Sequence, residues 1–170
     1  MTAYVALLRA VNVGGTGKLA MSDLKALCEQ AGFRKARTFI ASGNVVFESG
    51  LPEAKVKALL QKALAAHADK PVGVLVRSAA EMARVLADNP FGKQAPNRTV
   101  AIFLDAKPAA GALREATGRQ SEEMKLGRRE IYVHYGDGMA KSKLRIPAAA
   151  LGTARNMNTI VKLAELANTL

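Results

Sequence analysis

A chain of 170 residues, 49% of them apolar and with no long polar tract, is a packed globular protein of one domain or two small subdomains. Aromatic residues make up only 5% and tryptophan is absent, so the core is built from Ala, Val, Leu and Ile, and stacking platforms are scarce. Net charge is +11, with 11 basic and 5 acidic residues through Arg77 and 14 and 9 after it, so the excess runs through the fold and is not a tail. Such a field attracts nucleic acid, nucleotides or acidic partners. It equally fits the composition of an Arg-rich and Ala-rich proteome.

No stretch reaches the ~18 uninterrupted apolar residues of a membrane span. Met1-Thr2-Ala3-Tyr4 lacks the basic start of a signal peptide, and a cytoplasmic protein is expected. The single cysteine, Cys28, has no internal disulfide partner. With Leu24, Leu27 and Ala31 on one helical face, it reads as a small buried hydrophobe.

Tyr4 to Ala10 is an apolar strand suited to the centre of a sheet. A polar loop with Gly14, Gly15 and Gly17 follows and ends at Lys18. Ser22 is a candidate N-cap for a helix to about Ala31, closed by Gly32. Arg37 to Ala41 and Val45 to Phe47 are short strands joined by Ser42-Gly43-Asn44, whose residues suit a tight hairpin. Pro52 opens a helix to about His67 with the stripe Val56, Leu59, Leu60, Ala63 and Leu64. Val72 to Val76 completes a β-α-β-β-α-β order, the ferredoxin-like arrangement.

Ser78-Ala79-Ala80-Glu81 is a capping box that opens the next helix, which stops before Pro90. Thr99 to Leu104 is a buried-type strand, and a helix is expected from about Pro108 to Thr117. Glu122 to Leu126 and Glu130 to Tyr135 form a hairpin around Gly127-Arg128. In its second strand Ile131, Val133 and Tyr135 alternate with Glu130, Tyr132 and His134, which predicts one wet face. A last helix begins near Asn156 or Asn158. The expected fold is α+β: two ferredoxin-like subdomains, 1–77 and 78–170, packed as one unit, with no convincing sequence repeat between them.

The glycine loop fails both phosphate-loop templates. A Walker loop ending at Gly17-Lys18 needs glycine at position 12 and a hydroxyl at 19, where the chain has Asn12 and Leu19. Gly14-Gly15-Thr16-Gly17 also lacks dinucleotide-fingerprint spacing. Closely spaced glycines can still offer backbone N–H groups to an anion, with Lys18 supplying charge; the alternative is a plain strand-to-helix connection. Ser42-Gly43-Asn44 is explained by a turn alone. In Thr153-Ala154-Arg155-Asn156-Met157-Asn158-Thr159 the asparagines are ordinary caps, but an arginine at a helix start opposes the macrodipole unless an anion offsets it. Lys141-Ser142-Lys143 reads as a solvated basic loop. His67 and His134, without a cysteine cluster, do not make a zinc site of the usual kind. No Gly-x-Ser-x-Gly elbow or acidic dyad is evident. An RNA-recognition module would need paired aromatics in the strand beginning Asn44-Val45-Val46-Phe47, and they are missing.

Tyr4-Val5-Ala6-Leu7-Leu8-Arg9-Ala10-Val11-Asn12-Val13-Gly14-Gly15, Ser42-Gly43-Asn44-Val45-Val46-Phe47, Asn89-Pro90-Phe91, Lys141-Ser142-Lys143-Leu144 and the Thr153–Thr159 motif together resemble domain-of-unknown-function family 1697. The resemblance implies a small, mostly bacterial protein built as a tandem of ferredoxin-related subdomains, and it implies no activity, because the family has none established. Family members usually carry an aromatic where this chain has Met157. The resemblance also groups the polar motifs with the opening loop. From that grouping comes the expectation of one cleft between subdomains where Arg9, Asn12, Lys18, Ser42, Asn44, Arg155, Asn156 and Asn158 meet an anionic ligand. The arginines would take phosphate or carboxylate, and the asparagines a base or sugar. The ligand expected is a nucleotide or nucleic acid. The alternatives are an enzyme acting on a phosphorylated or carboxylated substrate, and an interaction protein without a ligand. No cofactor, metal or catalytic residue is indicated, and the sequence does not settle oligomeric state.

Overall fold

The computed structural model describes residues 1–12 and 18–170, so Gly14, Gly15 and Gly17 of the opening loop lie outside the described residues. The described chain divides into two compact units, residues 1–83 with 162–170, and residues 84–161.

In the first unit, β1 (Thr2–Leu8), β2 (Arg34–Thr38), β3 (Asn44–Ser49) and β4 (Val74–Ser78) form an antiparallel sheet in the order β2-β3-β1-β4. β1 is central, as its apolar run predicts, pairing with β3 from Thr2↔Ser49 to Leu7↔Asn44 and with β4 from Tyr4↔Ser78 to Leu8↔Val74. Its even positions Tyr4, Ala6 and Leu8 join one core with Leu24 and Cys28 of α1 (Met21–Gln30) and Val56, Leu60 and Leu64 of α2 (Glu53–Ala68). Each fully buried leucine there contributes about 1.5–3 kcal/mol by leaving water. The rings of Phe33 and Phe47 stack at 4.3 Å inside this core. The odd positions Val5 and Leu7 are buried as well, so the period-2 pattern of a half-wet strand is absent.

Helix α1 starts two residues earlier than Ser22 suggests, with Ala20 at the N-cap and no side chain capping it. Its end follows the expected glycine stop. Gly32 takes φ +87°, its N–H donates to the Glu29 carbonyl and the Phe33 N–H to the Cys28 carbonyl, the paired bonds of a Schellman ending. Pro52 is the N-cap of α2. The β2–β3 connection is longer than a tight hairpin, spanning residues 39–43, with Ile40 and Gly43 in the left-handed region.

α3 (Ala79–Ala87) opens with the predicted capping box: the Ser78 N–H donates to Glu81 Oε1 (3.0 Å), and the Glu81 N–H to Ser78 Oγ (3.2 Å). In the second unit, β5 (Thr99–Phe103), β6 (Glu123–Leu126), β7 (Glu130–His134) and β8 (Thr153–Asn156) form an antiparallel sheet in the order β6-β7-β5-β8. The last helix, α4, is Met157–Asn168.

Three expectations for this half are corrected. The helix placed at Pro108–Thr117 is a 3₁₀ turn at Ala112–Glu115. Thr153–Asn156, expected only to lead into a helix, is a strand paired with β5 from Val100↔Asn156 to Phe103↔Thr153, while Asn156 at its end keeps the expected cap role. β7 has no wet face, since all five of its residues are buried. Its polar tips are satisfied internally. The Tyr132 hydroxyl donates to the Val85 carbonyl (2.8 Å), and Thr99 Oγ1 lies 2.9 Å from His134 Nδ1. Thr99 spends its one hydroxyl proton on the Ala95 carbonyl (3.0 Å), so Nδ1 of His134 is the donor in that pair.

Candidate functional site

β1 delivers Arg9 to the surface. The Arg9 N–H donates to the Gly73 carbonyl (2.9 Å), extending the β1–β4 ladder one residue past Leu8. The side chain then lies along Gly73, where a Cβ would stand 3.2 Å from the Arg9 Cβ and 3.4 Å from its Cδ. Ala10 and Asn12 both take φ +55°, turning the chain sharply. Val11 between them points into the core and is 7% exposed.

The Asn12 side chain holds this turn. Its Nδ2 donates to the Leu19 and Ala41 carbonyls (2.8 Å each), and its Oδ1 accepts from the Leu19 N–H (2.6 Å). One amide therefore joins the residues on either side of segment 13–17 and ties them to the β2–β3 connection. Asn44 does similar work next door, fully buried, with Nδ2 donating to the Phe39 carbonyl (2.8 Å) and to Ser42 Oγ (2.9 Å). Gly43 between them has its N–H directed at the Ile40 carbonyl, and its carbonyl accepts from the Leu8 N–H.

Arg9, Ala10 and Val11 border a cavity of about 390 Å³ within the first unit. Arg9 and Lys18 line it from the β1 side. His67 and Lys70 line it from the end of α2, and Val11, Leu19, Leu64 and Val72 supply aliphatic wall. None of the described lining residues is acidic. The carbonyl end of α2 carries roughly half a negative charge. The three permanent cations Arg9, Lys18 and Lys70 exceed it. His67 Nε2 lies 3.8 Å from Asp23 Oδ2.

Of the residues predicted from sequence, Arg9 and Lys18 share this cavity. Asn12, Ser42 and Asn44 are not among its described lining residues and instead hold the turn after β1 and the β2–β3 connection by hydrogen bonds. Arg155 and Asn156 lie on β8 in the second unit, and Asn158 is exposed in the first turn of α4. Arg155 is 7% exposed, with Nη1 donating to Thr153 Oγ1 (2.7 Å) and to the Ala154 carbonyl (2.9 Å). Burial pulls its pKa down to about 10. Asn156 Oδ1 accepts the Thr159 N–H (2.9 Å) and so caps α4. Met157 is 4% exposed and fills core space. His67 and Lys70 were not among the predicted residues. The signal for them was the face Leu64, His67, Ala68 followed by Lys70-Pro71, which sets a basic pair at the end of an apolar stripe.

Lys141-Ser142-Lys143 is fastened more firmly than a solvated loop. The Ser142 hydroxyl donates to Glu122 Oε2, and Oε1 accepts the Gln120 N–H (2.6 Å). The Ser142 bond, followed by that of Gln120, holds the Glu122 carboxyl below the usual carboxylate range. Among the described residues no cluster of His, Cys, Asp and Glu could hold a metal ion, and no helix is long and apolar enough to cross a membrane.

Comparison with known proteins is consistent with this architecture. Residues 1–132 match the family described as "Protein of unknown function (DUF1697)". The conserved bacterial protein SP0830 from Streptococcus pneumoniae has a similar structure, with a TM-score of 0.80 at 22% identity, covering 98% of this chain and 98% of that one. At that identity the likeness concerns the fold alone. No curated protein matches.

Proposed function

Because this chain belongs to the DUF1697 family of proteins of unknown function, we propose its role from the site itself: it binds a small anionic ligand in the cavity rimmed by Arg9, Lys18, His67 and Lys70. The observation that carries this is four basic side chains around one cavity with no acid among its described lining residues. Its volume, about 390 Å³, falls in the ~300–1,000 Å³ range of small-molecule pockets. The overall charge of +11 favours approach of any anion.

A nucleic-acid strand is a weaker reading. None of the eight Phe and Tyr rings is exposed, which leaves single-stranded bases without the usual stacking platform. Catalysis on a phosphorylated substrate is the second reading, and the observation favouring it is His67, a proton carrier on the rim beside Asp23.

The same proposal includes a ferredoxin-like topology for both halves, residues 1–77 and 78–170. It is supported by two antiparallel sheets of matching order and by matching positions within them. Arg77 sits opposite Val5 and precedes the cap Ser78; Arg155 sits opposite Ala101 and precedes the cap Asn156. By the same register, Leu8 donating to Gly43 corresponds to Leu104 donating to Arg129, so the counterpart of Arg9 is Asp105. An acid in that place favours one anion site per chain.

Calorimetric titration with inorganic phosphate at low salt tests the proposal. One site per chain is expected, weakened about tenfold or more by Arg9→Ala and by added salt. Failure to bind, or equal affinity in the Arg9→Ala protein, would refute it.

A further inference from the structure

The wall of the basic cavity restricts what its ligand carries behind the anionic head. Val11, Leu19 and Leu64 are buried at the wall and Val72 is half-buried. Among the described lining residues there is no phenyl, phenol or indole ring and no side chain bearing a hydroxyl or an amide, and the one aromatic ring is the imidazole of His67 on the basic rim. The amide nearest along the chain, that of Asn12, makes its hydrogen bonds to Leu19 and Ala41.

A nucleoside presents several polar groups on its sugar and base, and each one taken from water without a partner weakens binding by about tenfold. Arg and Lys can read a base edge, but here they are taken up by the anionic head, and the rest of the described wall offers aliphatic carbon to a base or sugar. An alkyl chain has no such requirement, and each methylene buried tightens binding about fourfold. A lining that combines basic side chains with branched aliphatic ones matches a molecule that is charged at one end and apolar along its body. Four basic side chains suit a phosphate dianion better than a single negative charge.

We propose, resting on the anion-site reading above, that the cavity takes a phosphate monoester with an aliphatic body, the head among Arg9, Lys18, His67 and Lys70 and the chain against Val11, Leu19, Leu64 and Val72. The selectivity follows from the wall, and the affinity for phosphate from the rim. Val72 is the residue to alter, because Thr has nearly its shape and the position is only half-buried.

The full-length protein is titrated with inorganic phosphate, n-butyl phosphate and adenosine monophosphate. Butyl phosphate is expected to bind at least tenfold tighter than inorganic phosphate, and adenosine monophosphate no tighter than inorganic phosphate. Val72→Thr should cut the butyl advantage, the ratio of butyl phosphate to inorganic phosphate affinity measured on the same variant, severalfold. Butyl phosphate binding no tighter than inorganic phosphate, adenosine monophosphate binding as tightly as butyl phosphate, or an unchanged butyl advantage in the Val72→Thr protein overturns the inference and leaves the anion site standing. Loss of Arg9-dependent binding for every probe overturns both.

Discussion

Replacing Asn12 by alanine removes three hydrogen bonds at one stroke and leaves a residue poorly suited to φ +55°. The two bonds to Leu19 are partly buried and are each worth about 1 kcal/mol. The bond to the Ala41 carbonyl is exposed, so water replaces it and its loss costs only about 0.5 kcal/mol. Holding alanine in the left-handed region adds about 1 kcal/mol. Asn12→Ala should therefore lower stability by about 3.5 kcal/mol. Asn12→Gly meets no such backbone penalty, and should lower it by about 2.5 kcal/mol. Urea unfolding followed by far-UV circular dichroism gives both values, read from the midpoint at an unchanged slope. An alanine variant within about 0.5 kcal/mol of the parent would refute the clamp. A glycine variant less stable than the alanine one would refute the role given to the backbone angle.

Three further outcomes follow from the same geometry. Gly43→Ala places a Cβ 2.6 Å from Val11 Cγ2 and 2.9 Å from Leu8 Cβ at φ +91°; a loss of about 2–4 kcal/mol is expected in thermal or urea unfolding. Cys28 is fully buried and its thiol is pushed up to about 12, so iodoacetamide should label it only as fast as the chain unfolds, and rapid labelling of folded protein would contradict that placement. The Glu122 carboxyl lies below its unfolded range, so its contribution to stability is present above an unfolded pKa of about 4.3 and is lost as pH falls through the folded value. Ser142→Ala removes the main cause of that depression and should move the acid-unfolding midpoint to higher pH.

Local signals were the legible ones. The Ser78–Glu81 capping box, the Gly32 stop and the apolar run of β1 act within a few residues, and the sequence pattern carries them whole. The misread segments depend on distant partners. Ala112–Glu115 has helix-forming composition, but it ends just before Gly118, where a Cβ would stand 2.1 Å from the Lys143 carbonyl oxygen. That approach of two backbones leaves no room to continue a helix. β8 is four residues with no strong alternation, and it is a strand because β5 offers an edge for Val100–Phe103 to pair along. β7 looked half-wet because Tyr132 and His134 are polar at their tips, and their partners Val85 and Thr99 lie far along the chain. The site divides in the same way. Arg9 and Lys18 were visible beside a glycine loop, whereas His67 and Lys70 reach the cavity only because α2 packs its end against the exit of β1.

The most direct test of the anion site is a titration of ¹⁵N-labelled protein with inorganic phosphate, followed residue by residue through amide chemical shifts. The account predicts saturable shifts concentrated at Arg9–Val11, Lys18–Leu19 and His67–Gly73, fitting one binding constant. Shifts concentrated instead at Thr153–Asn158, or none that saturate, would contradict it.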